Sequence, residues 1–352
     1  RVLFRSAGNR LVTTPSLKYC AEYLVGKDPT EIERHWQQLF RRSLFRGGAD
    51  SMAAIGAIDM ALWDIAGKLV GLPTYKLLGG AMREKVRLFA ALGGASSPEA
   101  MADKAVEMVE RGFKAVRFNP FRGDPEAFAD MGFNQIVRCA ERFVRVARKA
   151  VGDQIDLSID VIGVLSPAEA IAVGKALAPY GLHFFEDPIE ADNIDAMAQV
   201  AAALPMPVAT GERHCTIYQF RELLNKKAAA FLRPDPGLAG GLSNCRKIAA
   251  LAEADYVQLM PHNPLSCVLT AANVQLDASI HNFAAQEYQC HELESPRRDL
   301  VQEPIELRDG FLIVPDKPGL GIELNEEAFR HYPPKSRDRQ PIVGSDGALR
   351  DY

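Results

Sequence analysis

Three acids carry the most pointed chemical signal in this 352-residue chain. The runs IDLSID, LHFFE and PVATGE each end on a carboxylate, at Asp160, Glu186 and Glu212, with 26 positions from each acid to the next. A period of that size suits one strand, one helix and two loops, the repeat of a (β/α)8 barrel, whose equivalent strand ends face one mouth. Three carboxylates there repel one another unless a hard divalent cation neutralises them, which reads as a Mg2+ site. A plainer reading makes the same acids helix N-caps or solvated loop residues.

Other strand ends add to this set. They are Arg117 and Asn119 in KAVRFN, Asp235 in FLRPD, His262 in YVQLMPH and Glu287 in FAAQE. Together they supply a cation, an Asp–His pair and a further acid. That combination suits removal of the weakly acidic proton α to a carboxylate, because the resulting enediolate must be held by positive charge. His262 is the candidate base, with Asp235 fixing its tautomer and raising its basicity; the alternative is a capping or packing histidine in the MPHNP turn. Arg117 could bridge a substrate carboxylate or hydroxyl, or pair with a barrel acid. Glu287 could hydrogen-bond the enediolate if protonated, or act as a salt-bridge partner.

The elements that must position these residues follow from apolar spacing. Helical stripes run from Ser16 to about Phe45, broken at GKDP, and a long helix covers Ser51 to Val70. Strand and helix then alternate from Val86: VRLFAAL, a helix over Pro98 to Arg111, KAVRFN, a long helix to about Val151, and helices at 167–178 and 193–203 between the acid-bearing strands. Eight such units favour α/β architecture as a closed parallel barrel over a doubly wound sheet, for which no G-x-G-x-x-G is found. Beyond Glu292 the alternation stops; DGFLIVPDKPGLGIEL reads as a hairpin and the remaining tail as loop. The opening RVLFRSAGNRLVTTP matches no pattern. The domains expected are therefore 1–85, mostly helical; 86–291, the barrel; and 292–352, returning to the first to complete a discontinuous α+β capping domain.

Bulk composition narrows the partners. With 41 basic and 45 acidic residues the formal charge is −4, and no basic patch points to nucleic acid or an anionic membrane. No apolar run approaches the ~18 residues needed to span a bilayer. Six dispersed cysteines without a C-x-x-C pair fit reduced thiols in a cytoplasmic enzyme. The chain opens on Arg1 without a signal peptide, and is read as a fragment whose true start is absent.

A resemblance joins these features. DMALWDIAGK, YKLLGG, FFEDP, ATGER, RPDPGLAGG, KIAALAE, MPHNPL and QEYQ occur in an order similar to that of the enolase superfamily, mandelate racemase-like subgroup. The pattern most resembles acid-sugar dehydratases of the galactonate dehydratase type, over nearly everything from Leu24 to Gly321. The resemblance implies Mg2+ on Asp160, Glu186 and Glu212, an Asp235–His262 dyad as base, Glu287 as the acid lining strand eight, and a capping domain that selects the substrate. It also implies self-association into a homo-oligomer.

The departures bear on mechanism. Galactonate dehydratases carry Asp-Phe-His at the third strand, where this chain has Asp160-Val161-Ile162. Racemases carry Lys-x-Lys on strand two, where Arg117-Phe118-Asn119 stands here; Asn119 resembles the dehydratase pattern and would touch substrate. FFEDP stands for FIEEP, and the family's N-terminal strands with their covering loop find no counterpart. Protonation of the leaving hydroxyl then falls to His262 acting twice or to His214, which on an extended chain would point the same way as Glu212; as the alternative, His214 is a loop histidine in solvent. The function expected is Mg2+-dependent loss of water from an aldonate, giving a 2-keto-3-deoxy acid. Its rivals are an epimerase or racemase of a hydroxy acid, and a barrel that binds acid sugars without turnover.

Overall fold

The computed structural model describes residues 10–42, 46–333 and 342–350. Helices α1 (Arg10–Leu24), α2 (Ile32–Arg42), α3 (Ala49–Val70) and α4 (Thr74–Leu77) come first. The alternation follows as β1 (Lys85–Ala91), α5 (Pro98–Glu110), β2 (Ala115–Phe118), α6 (Pro125–Ala129), α7 (Phe133–Val151), β3 (Asp156–Asp160) and α8 (Pro167–Leu177). It continues through β4 (Phe185–Glu186), α9 (Ile194–Ala203), β5 (Val208–Thr210), α10 (Ile217–Asn225), β6 (Phe231–Leu232), α11 (Gly241–Ala254), β7 (Gln258–Leu259), α12 (Cys267–Ser279) and β8 (Gln286–Gln289). Last come β9 (Leu307–Arg308), β10 (Phe311–Ile313), α13 (Glu326–His331), β11 (Ile342–Val343) and β12 (Leu349–Arg350). Two units result: Arg1–Arg87, Gly211–Arg221 and Leu232–Ser336 make one, and Leu88–Thr210, Glu222–Phe231 and Arg337–Tyr352 the other.

In the second unit the strands pair in parallel, β1 with β2, β2 with β3, β3 with β4 and β4 with β5. Its helices start where the sequence supplies caps. Ser97 accepts from the Ala100 amide, Ser166 forms a capping box with Glu169, and Asn193 accepts from the Ala196 amide. Those caps decide one question left open above: α8 and α9 are capped by Ser166 and Asn193, so Asp160 and Glu186 are not spent as N-caps. Phe89, Phe184 and Phe231 fill the interior of this unit, with ring centroids 5.7 and 6.1 Å apart.

In the first unit α2 places Ile32, His35, Trp36, Leu39 and Phe40 on one buried stripe, the spacing of an amphipathic helix. Trp36 Nε1 donates to the Gly240 carbonyl at 2.6 Å. Helix α3 lies close to the chain before α11: a Cβ at Gly56 would stand 2.5 Å from the Pro236 carbonyl oxygen, so only glycine permits that approach. The Asp59 carboxylate of α3 accepts from the Ser243 amide at 3.0 Å and from the Ser243 hydroxyl. The later chain does come back to these helices. The Thr74 amide donates to the Gly319 carbonyl at 2.8 Å, and Lys85–Arg87 pair antiparallel with β10.

Three local expectations change. Strands six and seven are two residues long instead of reaching Asp235 and His262, because Pro234 and Pro261 have no N–H to give a ladder. The tail contains α13 and the β11–β12 hairpin, where loop was expected. The opening, assigned no fold, is helical from Arg10; the nine residues before it lie outside the described residues. The hairpin read in DGFLIV is present as β9–β10. All six cysteines are free thiols.

Candidate active site

Two groups of strand-end residues stand out, and each is described within its own unit. At the C-terminal ends of β2, β3 and β4 stand Arg117, Asp160 and Glu186, and the parallel register sets Asp160 directly opposite Glu186. Arg117 Nη1 lies 2.8 Å from Asp160 Oδ2 and 2.8 Å from Glu186 Oε1. The pair is deep: Glu186 is 0 % and Asp160 8 % exposed. Of the two roles considered for Arg117, the structure shows the pairing with barrel acids. The other Asp160 oxygen accepts from the Ile162 amide at 2.8 Å. Ile162, at the turn this bond closes, stands at φ 50°, and Asp187, just past β4, at φ 38°. A β-branched residue rarely adopts this conformation, and strain of about 1–3 kcal/mol at such a position is characteristic of functional sites. Asn119 is buried, and its Oδ1 accepts from the Phe121 and Arg122 amides at 2.8 and 3.1 Å. Its carbonyl end thus shapes the following turn, leaving the amide end for any ligand.

The second group centres on His262. Its Nδ1 lies 2.9 Å from Asp235 Oδ2, its Nε2 3.1 Å from Glu212 Oε2, and Nε2 also lies 4.0 Å from Glu287 Oε2. Asp235 is held in turn by the Gly237 amide, which donates to its other oxygen at 2.6 Å. Burial, the largest influence, disfavours a charged imidazole here. Glu212, the Asp235 hydrogen bond and Glu287 together outweigh it and push the histidine up to about 10. When the ring is charged, each of its nitrogens has a carboxylate to donate to. Asp235 and Glu212 thus flank the two ring nitrogens.

Glu287 is placed by a residue the strand-end reading overlooked. Arg233, fully buried, donates from Nη2 to Glu287 Oε2 at 2.5 Å and from Nη1 to the Met260 carbonyl at 3.1 Å. The Asn263 amide donates to the same Oε2 at 3.1 Å, and Gln289 Nε2 to Oε1 at 3.0 Å. Glu287 is therefore an accepting carboxylate in a salt bridge, the second of its two expected roles. Arg233 could have been found: it stands two residues before Asp235, and alternate residues of an extended segment share a face. His214 is 3 % exposed, its ring 5.9 Å from that of Phe220, so it is not the solvent-facing loop histidine considered as one alternative.

Asp160 and Glu186 are buried, hard oxygen donors that share a single guanidinium between two negative charges, and that donor set fits a divalent cation. Among the described residues, no three His, Cys, Asp or Glu side chains are grouped closely enough to hold a metal.

Two family models match the chain: the mandelate racemase/muconate lactonizing enzyme N-terminal domain over residues 6–79, and the enolase C-terminal domain-like model over residues 100–328. The chain belongs to the enolase superfamily. Curated members similar to it include the D-galactonate dehydratases of Variovorax paradoxus and Xanthomonas euvesicatoria, each 34 % identical over 94 % of this chain and 87 % of the relative. Among solved structures, an enolase from Agrobacterium radiobacter with bound sodium and L-malate is 32 % identical, with a TM-score of 0.89 over 98 % of this chain and 90 % of that one. An enolase-superfamily member from Salmonella typhimurium is 26 % identical, with a TM-score of 0.88 over 94 % and 90 %. The superfamily's fold, an N-terminal capping domain with an α/β barrel, is thus the fold of this chain. No helix among the described residues is long and apolar enough to cross a membrane.

Proposed function

We propose that this enolase-superfamily chain is an acid-sugar dehydratase. It removes the α-proton of an aldonate-like hydroxy acid, expels the β-hydroxyl as water, and leaves a 2-keto-3-deoxy acid. The observation that carries this is the His262 dyad: a buried imidazole oriented by Asp235 on Nδ1, with Nε2 aimed at acids at the strand ends. The names of the relatives favour water loss over other reactions that begin with the same proton transfer.

In this reading the neutral form of His262 accepts the α-proton at Nε2, while Asp235 keeps Nδ1 protonated and stabilises the imidazolium that results. As the β carbon–oxygen bond breaks, the same proton passes to the leaving hydroxyl, and the enol formed tautomerises to the ketone. Ile162 offers no proton where the family has histidine, so His262 serves both steps; His214 is positioned by Phe220 and would contact substrate instead. Glu287, locked by Arg233, biases the imidazole toward its charged form between the two steps. Asn119 offers its amide N–H groups to the substrate, and Arg117 contributes positive charge beside it. Mg2+ held by Asp160, Glu186 and Glu212 would supply the charge that stabilises the two enediolate oxygens, and would draw the Glu212 charge away from His262. Segments 1–85 and 292–352 would form the cap that selects among sugar acids, 86–291 the catalytic barrel, and the working enzyme a homo-oligomer.

The test is to incubate the protein with Mg2+ and a panel of aldonates in D2O. A keto acid should form from at least one member. Deuterium entering the α carbon without water loss would instead identify an epimerase, and neither change in any compound would reject an enzymatic role.

A further inference from the structure

Arg117 is more deeply committed than a substrate-binding arginine needs to be. Its Nη1 sits 2.8 Å from one oxygen of each of two facing carboxylates, and its guanidinium carbon lies 5.6 Å above the Phe89 ring. All three residues are at most 8 % exposed. Two carboxylates opposite one another on adjacent parallel strands, out of water, repel one another unless a counter-charge lies between them. The cation that provides it is covalently tethered to β2, pre-oriented by the strand, and stacked on an aromatic face that favours guanidinium over ammonium.

We infer that Arg117 is a built-in counter-ion for the metal-ligand carboxylates: it holds Asp160 and Glu186 facing each other in the metal-free protein, and it sets the divalent affinity low by competing for the same oxygens. The inference rests on the proposed assignment of the metal to Asp160 and Glu186, and goes beyond it in giving a non-ligand the control of loading. Its physical content is simple. An incoming divalent ion and the guanidinium carry the same sign of charge and seek the same two oxygens. The ion must therefore displace Nη1 or bind beside it against repulsion that burial leaves poorly screened. The Ile162 amide holds the remaining Asp160 oxygen at 2.8 Å, so that carboxylate keeps its orientation during the exchange. A lysine, a smaller and more strongly hydrated point charge, would neutralise the pair with less geometric hold.

Calorimetric titration of Mn2+ into the whole protein tests this without any turnover. Arg117→Met and Arg117→Gln, which remove the charge, should bind Mn2+ at least tenfold more tightly than the unaltered protein, whereas Arg117→Lys should stay within about threefold of it. Thermal melts should show both neutral variants less stable than the parent without metal, and closing most of that gap at saturating Mn2+. Equal or weaker binding by both neutral variants would overturn the inference. So would failure of both to fold even with Mn2+ present, because the ion is argued to replace the lost charge. Asp160→Asn separates the two ideas: if the parent protein and this variant bind Mn2+ alike, the metal assignment itself is wrong; if only the Arg117 variants disappoint, the assignment stands and the counter-ion role falls.

Discussion

Replacing Arg233 by methionine should damage this protein severely. Arg233 is fully buried and Glu287 is 1 % exposed, and they meet at 2.5 Å. Methionine roughly fills the volume but removes the charge, leaving a buried carboxylate beside the Asn263 amide, the Gln289 side chain and the His262 ring without its buried guanidinium. With the charge centres about 4 Å apart and an effective dielectric of about 20, the lost attraction is about 4 kcal/mol. Measured losses on breaking one side of a buried pair run at about 3–5 kcal/mol, which agrees. Urea unfolding read by far-UV circular dichroism is the assay, with the midpoint shift converted through the slope of the parent protein. The double variant Arg233→Met with Glu287→Gln should recover at least half of the loss, since no unpaired charge then stays buried. A single-variant loss below about 1 kcal/mol, or a double variant no better than the single, would refute the reasoning, because the pair would then not be a closed electrostatic unit.

Two further expectations concern the dyad and a buried acid remote from it. His262→Asn should keep the fold while lowering exchange of the substrate α-proton by about 10²–10⁴-fold, read by NMR in D2O; exchange within threefold of the parent would mean that another group is the base. Burial pushes the Asp59 carboxyl up to about 7, against the hydrogen bonds from Ser243 that pull it down. The folded state therefore keeps this proton over a range where the unfolded chain has released it, so stability falls as pH rises from about 4 to about 7 and levels off above. At 1.36 kcal/mol per pH unit the contribution is on the order of 4 kcal/mol. Asp59→Asn should flatten that part of the stability–pH curve relative to the parent; identical slopes in the two proteins would show that Asp59 does not titrate there.

Much of this site was legible in the residue order because its signals are local. The recurrence of Asp160, Glu186 and Glu212 depends on the length of a strand–helix repeat, and the repeat declares itself through apolar period, Ser97, Ser166 and Asn193 at helix starts, and turns between. Pairing of Asp235 with His262 could be anticipated for the same reason: both close consecutive repeats. The truncation of strands six and seven was equally available from Pro234 and Pro261, and was missed only by weighting apolar runs over donor counting.

Which cation answers which acid was decided only by the tertiary structure. Arg117 meets Asp160 across 43 positions of sequence and Arg233 meets Glu287 across 54. Nothing local tells Arg117 to prefer the two facing carboxylates over a substrate, or makes Glu287 a salt-bridged acceptor instead of a protonated acid. Those outcomes depend on which charges are shut away from water together, since Coulomb attraction that solvent would screen to about 1 kcal/mol grows several-fold once the pair is buried. The left-handed turn at Ile162 belongs to the same category: a β-branched residue does not choose φ 50°, and it is held there by the Asp160 carboxylate that its amide serves. Residue types and their spacing determined what chemistry this chain could attempt, and burial determined which partner each charge would have.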